Sequence, residues 1–297
     1  MAYFKRAPIL VPTDYSEAAL RAVRVALSVA PAAHDVTIVH VYDEVSLIGV
    51  GWENIISEDT KREEGLAHMG DWLTEHDIHG VRREVLIGDA GLEIADYSKA
   101  NKVGLVIMPS HGRTGIKRLL LGSVAERVVR YCDCPVLVLR HEEGEPLPHA
   151  TDWLPRKNVL APIDFSPSTP MALETAIQLV DSRTDIDAIT VIPPLDHIYG
   201  GMMGRGTQKD DNRLSKRQQY IERYLGEHGF DIVRAHALLG DPGTTIVNYA
   251  KEHGADLVVI PSHGYHGVDR LVLGSTAERV LRHAECPVLI LRRHDAD

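Results

Sequence analysis

The chain has 297 residues, 44% of them hydrophobic, with a formal net charge of −10. That length suits two domains of ordinary size, each able to bury its own core. The acidic balance and 5% aromatic content argue against nucleic acid as a partner, which is held through basic surface and stacking rings.

In chain order, Ile9–Thr13 reads as a short buried strand ending at Asp14, and Ser16 caps a helix to about Val29. A strand follows at Val36–Tyr42, then a loop over 44–56, a polar helix near 57–78 and a strand near 81–87. That strand closes on Gly88-Asp89, where Asp89 is expected to cap a helix reaching about Asn101. Leu105–Met108 is a buried strand, followed by a glycine-bearing loop, an amphipathic helix and an apolar strand led by Cys134-Pro135. Residues 142–156 are charged, Pro-rich and without period, and read as a linker between domains at 1–141 and 157–297.

The same order then repeats. Val159–Ile163 ends at Asp164, with Ser166-Pro167 as a helix start. Ala188–Ile192 is a strand, 195–207 a loop, 208–228 a helix and 231–239 a strand closing on Gly240-Asp241. Leu257–Arg292 then copies most positions of Leu105–Arg140 at a constant offset, which marks an internal duplication. Strands alternating with helices predict an α/β fold: two tandem, doubly wound, Rossmann-like domains, each with a five-stranded parallel sheet. Ligands of such sheets sit beyond the carboxyl strand ends where the winding reverses. If strands one and four are neighbours there, Asp14 and the 109–112 loop flank one crevice, and Asp164 and the 261–264 loop the other. A strand feeding a glycine loop that ends at a helix N-terminus offers backbone N–H groups to an anion.

Three cysteines make no disulfide framework. Cys134 and Cys286 read as small buried hydrophobes, while Cys132 aligns with Ala284, so no thiol pair is repeated. The sixteen histidines show no zinc spacing, and no metal site is expected. No apolar run reaches the roughly 18 residues of a membrane span, and the N-terminus lacks a secretory apolar stretch; a cytoplasmic protein with no membrane partner is expected.

The residues that stand out resemble the universal stress protein family in its tandem two-domain form. The resemblance rests on Pro12-Thr13-Asp14 and on the later part of a Gly-x2-Gly-x9-Gly-Ser signature. Gly112 is followed by nine residues and Gly122-Ser123, and Gly264 by nine residues and Gly274-Ser275. The resemblance implies a sheet order 3-2-1-4-5, and pairing through the last strand as a homodimer or intrachain pseudo-dimer. It also implies an adenine nucleotide (ATP, ADP or AMP), with Mg2+ accompanying ATP, held by the signature's glycine and serine amides. Asp14 and Val41, with Asp164 and Val191 in the second copy, would hold the nucleoside end. Candidate contacts further include Pro109, His111, Arg113, Gly115 and Val124 in the first copy. Those in the second are Pro162, which matches Pro12, with Pro261, His263, Gly267 and Thr276.

Three departures matter. The signature's first Gly is Pro109 and Pro261, which removes an N–H and fixes φ. Thr13 becomes Ile163, losing a hydroxyl, and Arg113, Thr114 and Lys117 become Tyr265, His266 and Asp269. An acid in place of a cation repels a polyphosphate, so the N-terminal copy should bind more tightly. Against these readings, Ser123 and Ser275 with Glu126 and Glu278 fit a capping box that needs no ligand. Arg127 and Arg279 read as solvated helix residues. A stress-response nucleotide-binding regulator is therefore the leading function. A weak ATPase or phosphotransferase, and a nucleotide-free dimerising scaffold, are the alternatives; no GxxxxGK[ST] or GxSxG motif supports an enzyme.

Overall fold

The computed structural model describes residues 8–42, 57–112, 121–140, 153–195, 206–263 and 273–292, with only the backbone for 206–208. The chain divides into two compact units between Trp153 and Leu154.

The first unit runs β1 (Ile9–Pro12), α1 (Glu17–Val29), β2 (Val36–Tyr42), α2 (Glu58–Glu75), β3 (Arg82–Ile87), α3 (Ala90–Ala100), β4 (Leu105–Pro109), α4 (Ser123–Tyr131) and β5 (Val136–Leu139). Its strands are all parallel, in the order β3-β2-β1-β4-β5. Strands β1 and β5 are buried at every position. Helices on both faces leave no solvated side, so such strands are apolar throughout rather than alternating. On α1, Leu20, Val23 and Ala26 are buried at helical spacing and press on β1 and β4. The winding runs from β1 outward to β3, then returns to the other side of β1 for β4 and β5. Right-handed crossovers therefore put α1 and α2 on one face and α3 and α4 on the other. The crevice opens between the carboxyl ends of β1 and β4.

The second unit repeats this with β6 (Val159–Pro162), α5 (Thr169–Ile177), β7 (Ile186–Ile192), α6 (Gly206–Glu227), β8 (Arg234–Leu239), α7 (Pro242–Glu252), β9 (Leu257–Pro261), α8 (Ser275–His283) and β10 (Val288–Leu291). Its parallel order is β8-β7-β6-β9-β10.

Two expectations need correction. The helix after β6 starts at Thr169 with Ser168 as N-cap, not at Ser166-Pro167. Phe165 sits at φ 62°, and Thr169 N–H donates to Ser166 O at 2.9 Å, so these residues form a turn before the helix begins. Strand β7 begins at Ile186, two residues early, because the buried Asp187 lies inside it. Its carboxylate accepts from Arg234 Nε at 2.6 Å, a partner on the neighbouring strand that an apolar pattern does not reveal.

Candidate functional site

The crevice of the first unit is built from the end of β1. Pro12 is buried as the last strand residue, and Thr13 extends the pairing by donating its N–H to Val39 O at 2.8 Å. Thr13 Oγ1 accepts from Tyr15 N at 3.0 Å, and Thr13 O lies 2.8 Å from His40 Nδ1. Tyr15, at φ 65°, turns the chain into α1. Asp14 Oδ1 accepts from Ser16 N at 3.1 Å and Ser16 Oγ at 2.5 Å. The carboxylate is thus oriented by its neighbour. Across the crevice Gly112 faces it: a β-carbon there would run into Asp14 Oδ2. Val41, half-buried near the end of β2, stands opposite Leu86 of β3.

The other wall is the junction of β4, β5 and α4. Pro109 closes β4 opposite Leu139. Ser110 then donates its N–H to Leu139 O at 2.9 Å and accepts the Gly122 N–H at 2.8 Å. A β-carbon on Gly122 would come within 3.2 Å of Ser110 O, so the close approach favours glycine here. Gly122 is the N-cap of α4 and contributes no side-chain bond. The first intrahelical bond runs from Glu126 N to Gly122 O at 2.9 Å. The amides of Ser123, Val124 and Ala125 consequently have no acceptor within the helix. Three such N–H groups, with the positive end of the helix dipole, make an anion seat.

The second unit reproduces the arrangement. Ile163 N–H donates to Ile189 O at 2.8 Å after the buried Pro162, and Asp164 Oδ1 accepts from Ser166 N at 3.0 Å. Beyond Pro261, which pairs with Leu291, Ser262 N–H donates to Leu291 O at 2.9 Å and Ser262 O accepts from Gly274 N at 2.8 Å. Ser275 and Thr276 open α8 beside an N-cap Gly274 without a side-chain bond. Val191 lies in β7 opposite Leu238. Arg113, Gly115, Gly264 and Gly267 lie outside the described residues.

One reading from sequence is overturned. Ser123 and Ser275 do not act as capping-box serines, since each is the first helical residue after a glycine N-cap. Glu126 and Glu278 instead pair with Arg130 at 3.2 Å and Arg282 at 3.1 Å, one turn on. Arg127 and Arg279 are exposed helix residues, as expected, and each also reaches from its helix to the N-cap aspartate of the preceding one, Asp89 or Asp241. The hydrogen bond from Arg127 comes first among the causes that hold the Asp89 carboxyl below the usual range. Asp89 and Asp241 cap α3 and α7 as expected, the first accepting from Gly91 N and Leu92 N and the second from Thr244 N.

Sequence reasoning missed Ser110 and Ser262, which tie two strands and a helix start together in each unit. The signal was available, because the Ser-His dipeptide recurs where the residues beyond Gly112 and Gly264 diverge. His111 Nδ1 lies 3.0 Å from Ser110 Oγ, and His263 Nδ1 3.0 Å from Ser262 Oγ. Burial, and then the Arg140 guanidinium, hold the His111 imidazole below the ordinary histidine range; burial and Arg292 do the same to His263.

Comparison with known proteins completes this picture. The universal stress protein family model matches residues 5–140 and again 155–292. A universal stress protein of Methanocaldococcus jannaschii is 35% identical over 144 residues, covering 46% of this chain and 84% of that protein. One from Mycolicibacterium smegmatis is 28% identical over 299 residues, 96% of each chain. The crystal structure of a universal stress protein from Archaeoglobus fulgidus superposes with a TM-score of 0.63 at 25% identity, over 99% of both chains. With one family model matching both halves in turn, the chain belongs to the universal stress protein family, as a tandem of two such domains.

Proposed function

We propose that this chain is a regulatory protein that binds ATP or a related adenine nucleotide in the crevice between β1 and β4. The observation that carries this is the pairing of Gly112 with Asp14 beside a helix start whose first three amides lack intrahelical acceptors. A carboxylate oriented by Ser16 suits a ribose diol, which donates hydrogen bonds. The amides of Ser123, Val124 and Ala125 suit the phosphate chain, and glycine at 112 and 122 keeps the approach open. Mg2+ would arrive with the nucleotide's own phosphates. The residues beyond Gly112 include Arg113 and Lys117, where the second copy has Tyr265 and Asp269, so the first unit binds more tightly.

The test is direct. Purified protein is denatured, the released small molecules are analysed, and ATP is titrated against wild type and Gly122→Asp. Adenine nucleotide in the extract, or ATP binding that the variant loses, supports the reading. Absence of binding at millimolar ATP would overturn it, and multiple turnovers per minute would replace it with an enzyme.

A further inference from the structure

In each unit the outermost strand borders a single neighbour among the described residues: β3 lies beside β2, and β8 beside β7. In a parallel strand the N–H and C=O of one residue point to the same side, and those of the next point to the other. Every second residue of β3 and β8 therefore turns its backbone groups outward. Left bare, such groups pair with an extended segment of another chain.

On β8 a side chain has taken them. Gln218 of α6 donates from Nε2 to Ala235 O at 2.9 Å, and its Oε1 accepts the Ala237 N–H at 2.7 Å. A residue of an added parallel strand makes the same pair of bonds, to one carbonyl and to the N–H two residues further on. The carboxamide thus stands in for one backbone residue of a further strand. Its second Nε2 hydrogen is accepted by Glu222 Oε1 at 2.7 Å, one helical turn on, which fixes the orientation of the amide.

The first unit covers the matching place by other means. Leu66 stands where the second copy has Gln218, and Val85 where it has Ala237. Arg62, one turn before Leu66 on α2, donates from Nη1 to Val85 O at 2.9 Å. Two unlike side chains at unlike helix positions reach the same edge residue. What the duplication has kept is the cover and not the residue that supplies it.

We propose that the outer edge of β8 is a strand-addition site held shut from within, with Gln218 as its plug and a second copy of this chain as the partner it excludes. The partner follows from the strand's own pattern. A two-fold axis through Ala237 lays β8 antiparallel on itself, with Ala235 opposite Leu239 and Arg234 opposite Gly240 of the second copy. No like charges then meet face to face, and the small side chains of Ala235 and Ala237 admit a close neighbour. The inference is independent of what the crevices bind.

The experiment compares the full chain with Gln218→Ala and with Gln218→Asn, which keeps the amide on a stem one carbon shorter. Sedimentation over a concentration series gives the mass, and NMR gives the exchange of single backbone amides. Both variants are expected to form a species of twice the wild-type mass as concentration rises, with new exchange protection along β8. In wild type the Ala237 amide should exchange about tenfold or more slowly than that of Ala235, which faces the same side without a partner among the described residues. Variants that keep the wild-type mass at every concentration overturn the proposal, as does association without protection on β8. A wild-type Ala237 amide exchanging as fast as that of Ala235 overturns it too, and that reading holds even where a variant fails to fold.

Discussion

Gly112 and Asp14 meet across the β1–β4 crevice so closely that no β-carbon fits between the glycine and the carboxylate oxygen Oδ2. The atom in the way is the far end of a side chain, which can rotate aside. Gly112→Ala should therefore leave thermal stability within about 0.5 kcal/mol of wild type. Its cost falls on the ligand, because the displaced carboxylate no longer faces the ribose; ATP affinity in the first unit should drop about tenfold or more. A titration with unchanged affinity would contradict the role given to Asp14.

Gly122→Ala should behave differently. The obstacle there is the Ser110 carbonyl, a backbone atom 3.2 Å from the new carbon, so the junction itself must give. We expect a loss of roughly 1–3 kcal/mol in denaturant unfolding, accompanying weaker binding. Gly274→Ala should match it, since Ser262 O stands at the same 3.2 Å.

Occupancy of the two units should differ. Asp14→Asn ought to remove the tighter class of ATP sites and Asp164→Asn the weaker one, visible as two phases in a titration of wild type and one in each variant. Equal, single-phase binding in wild type would refute the asymmetry.

The aspartate caps give a stability prediction with a pH signature. Asp89→Ala and Asp241→Ala should each cost about 1 kcal/mol, mainly through the lost N-cap, as both side chains remain partly exposed. Their carboxyl groups are held below the ordinary value in the fold. The unfolded chain thus binds protons first on acidification. Their stabilisation is complete above about pH 4 and disappears as pH falls through the folded value. Unfolding midpoints measured between pH 5 and 3 should fall more steeply in wild type than in the double variant.

The histidines shift stability in a higher window. With folded values below 6.5, His111 and His263 make the unfolded chain the stronger base. Stability of the nucleotide-free protein should decline as pH drops below about 6.5, levelling off once the folded imidazoles also titrate. The His111→Gln/His263→Gln protein should lack that component, which melting curves from pH 7.5 to 5 would reveal.

Much of this architecture was readable in advance, for a physical reason. Central parallel strands such as Ile9–Pro12 and Val136–Leu139 are buried on both faces and stand out as apolar runs. Asp89 and Asp241-Pro242 announced their helices by local chemistry. What the residues did not announce were relations between distant positions. The Arg127 partner is 38 residues away at the start of another helix, so the pair had no local signature. Gly91 and Gly243 carried the clue: a β-carbon at either would meet the arginine stem of the next helix. Ser-Val-Ala-Glu looked like a capping box because the motif scores side chains, while the cap is the backbone of Gly122. The turn at Tyr15 and Phe165 was equally hidden, since positive φ is unusual for an aromatic residue.

The bond from Gly122 N–H to Ser110 O, matched by Gly274 to Ser262, also works as a clasp at the neck of the intervening segment. Both ends of that segment are pinned whatever lies between them, so its composition can drift, as Arg113 against Tyr265 and Lys117 against Asp269 show. Lengthening it costs only the slow logarithmic penalty of a larger ring. Each unit therefore keeps its strand end and helix start joined by one backbone bond, whatever sequence lies between them.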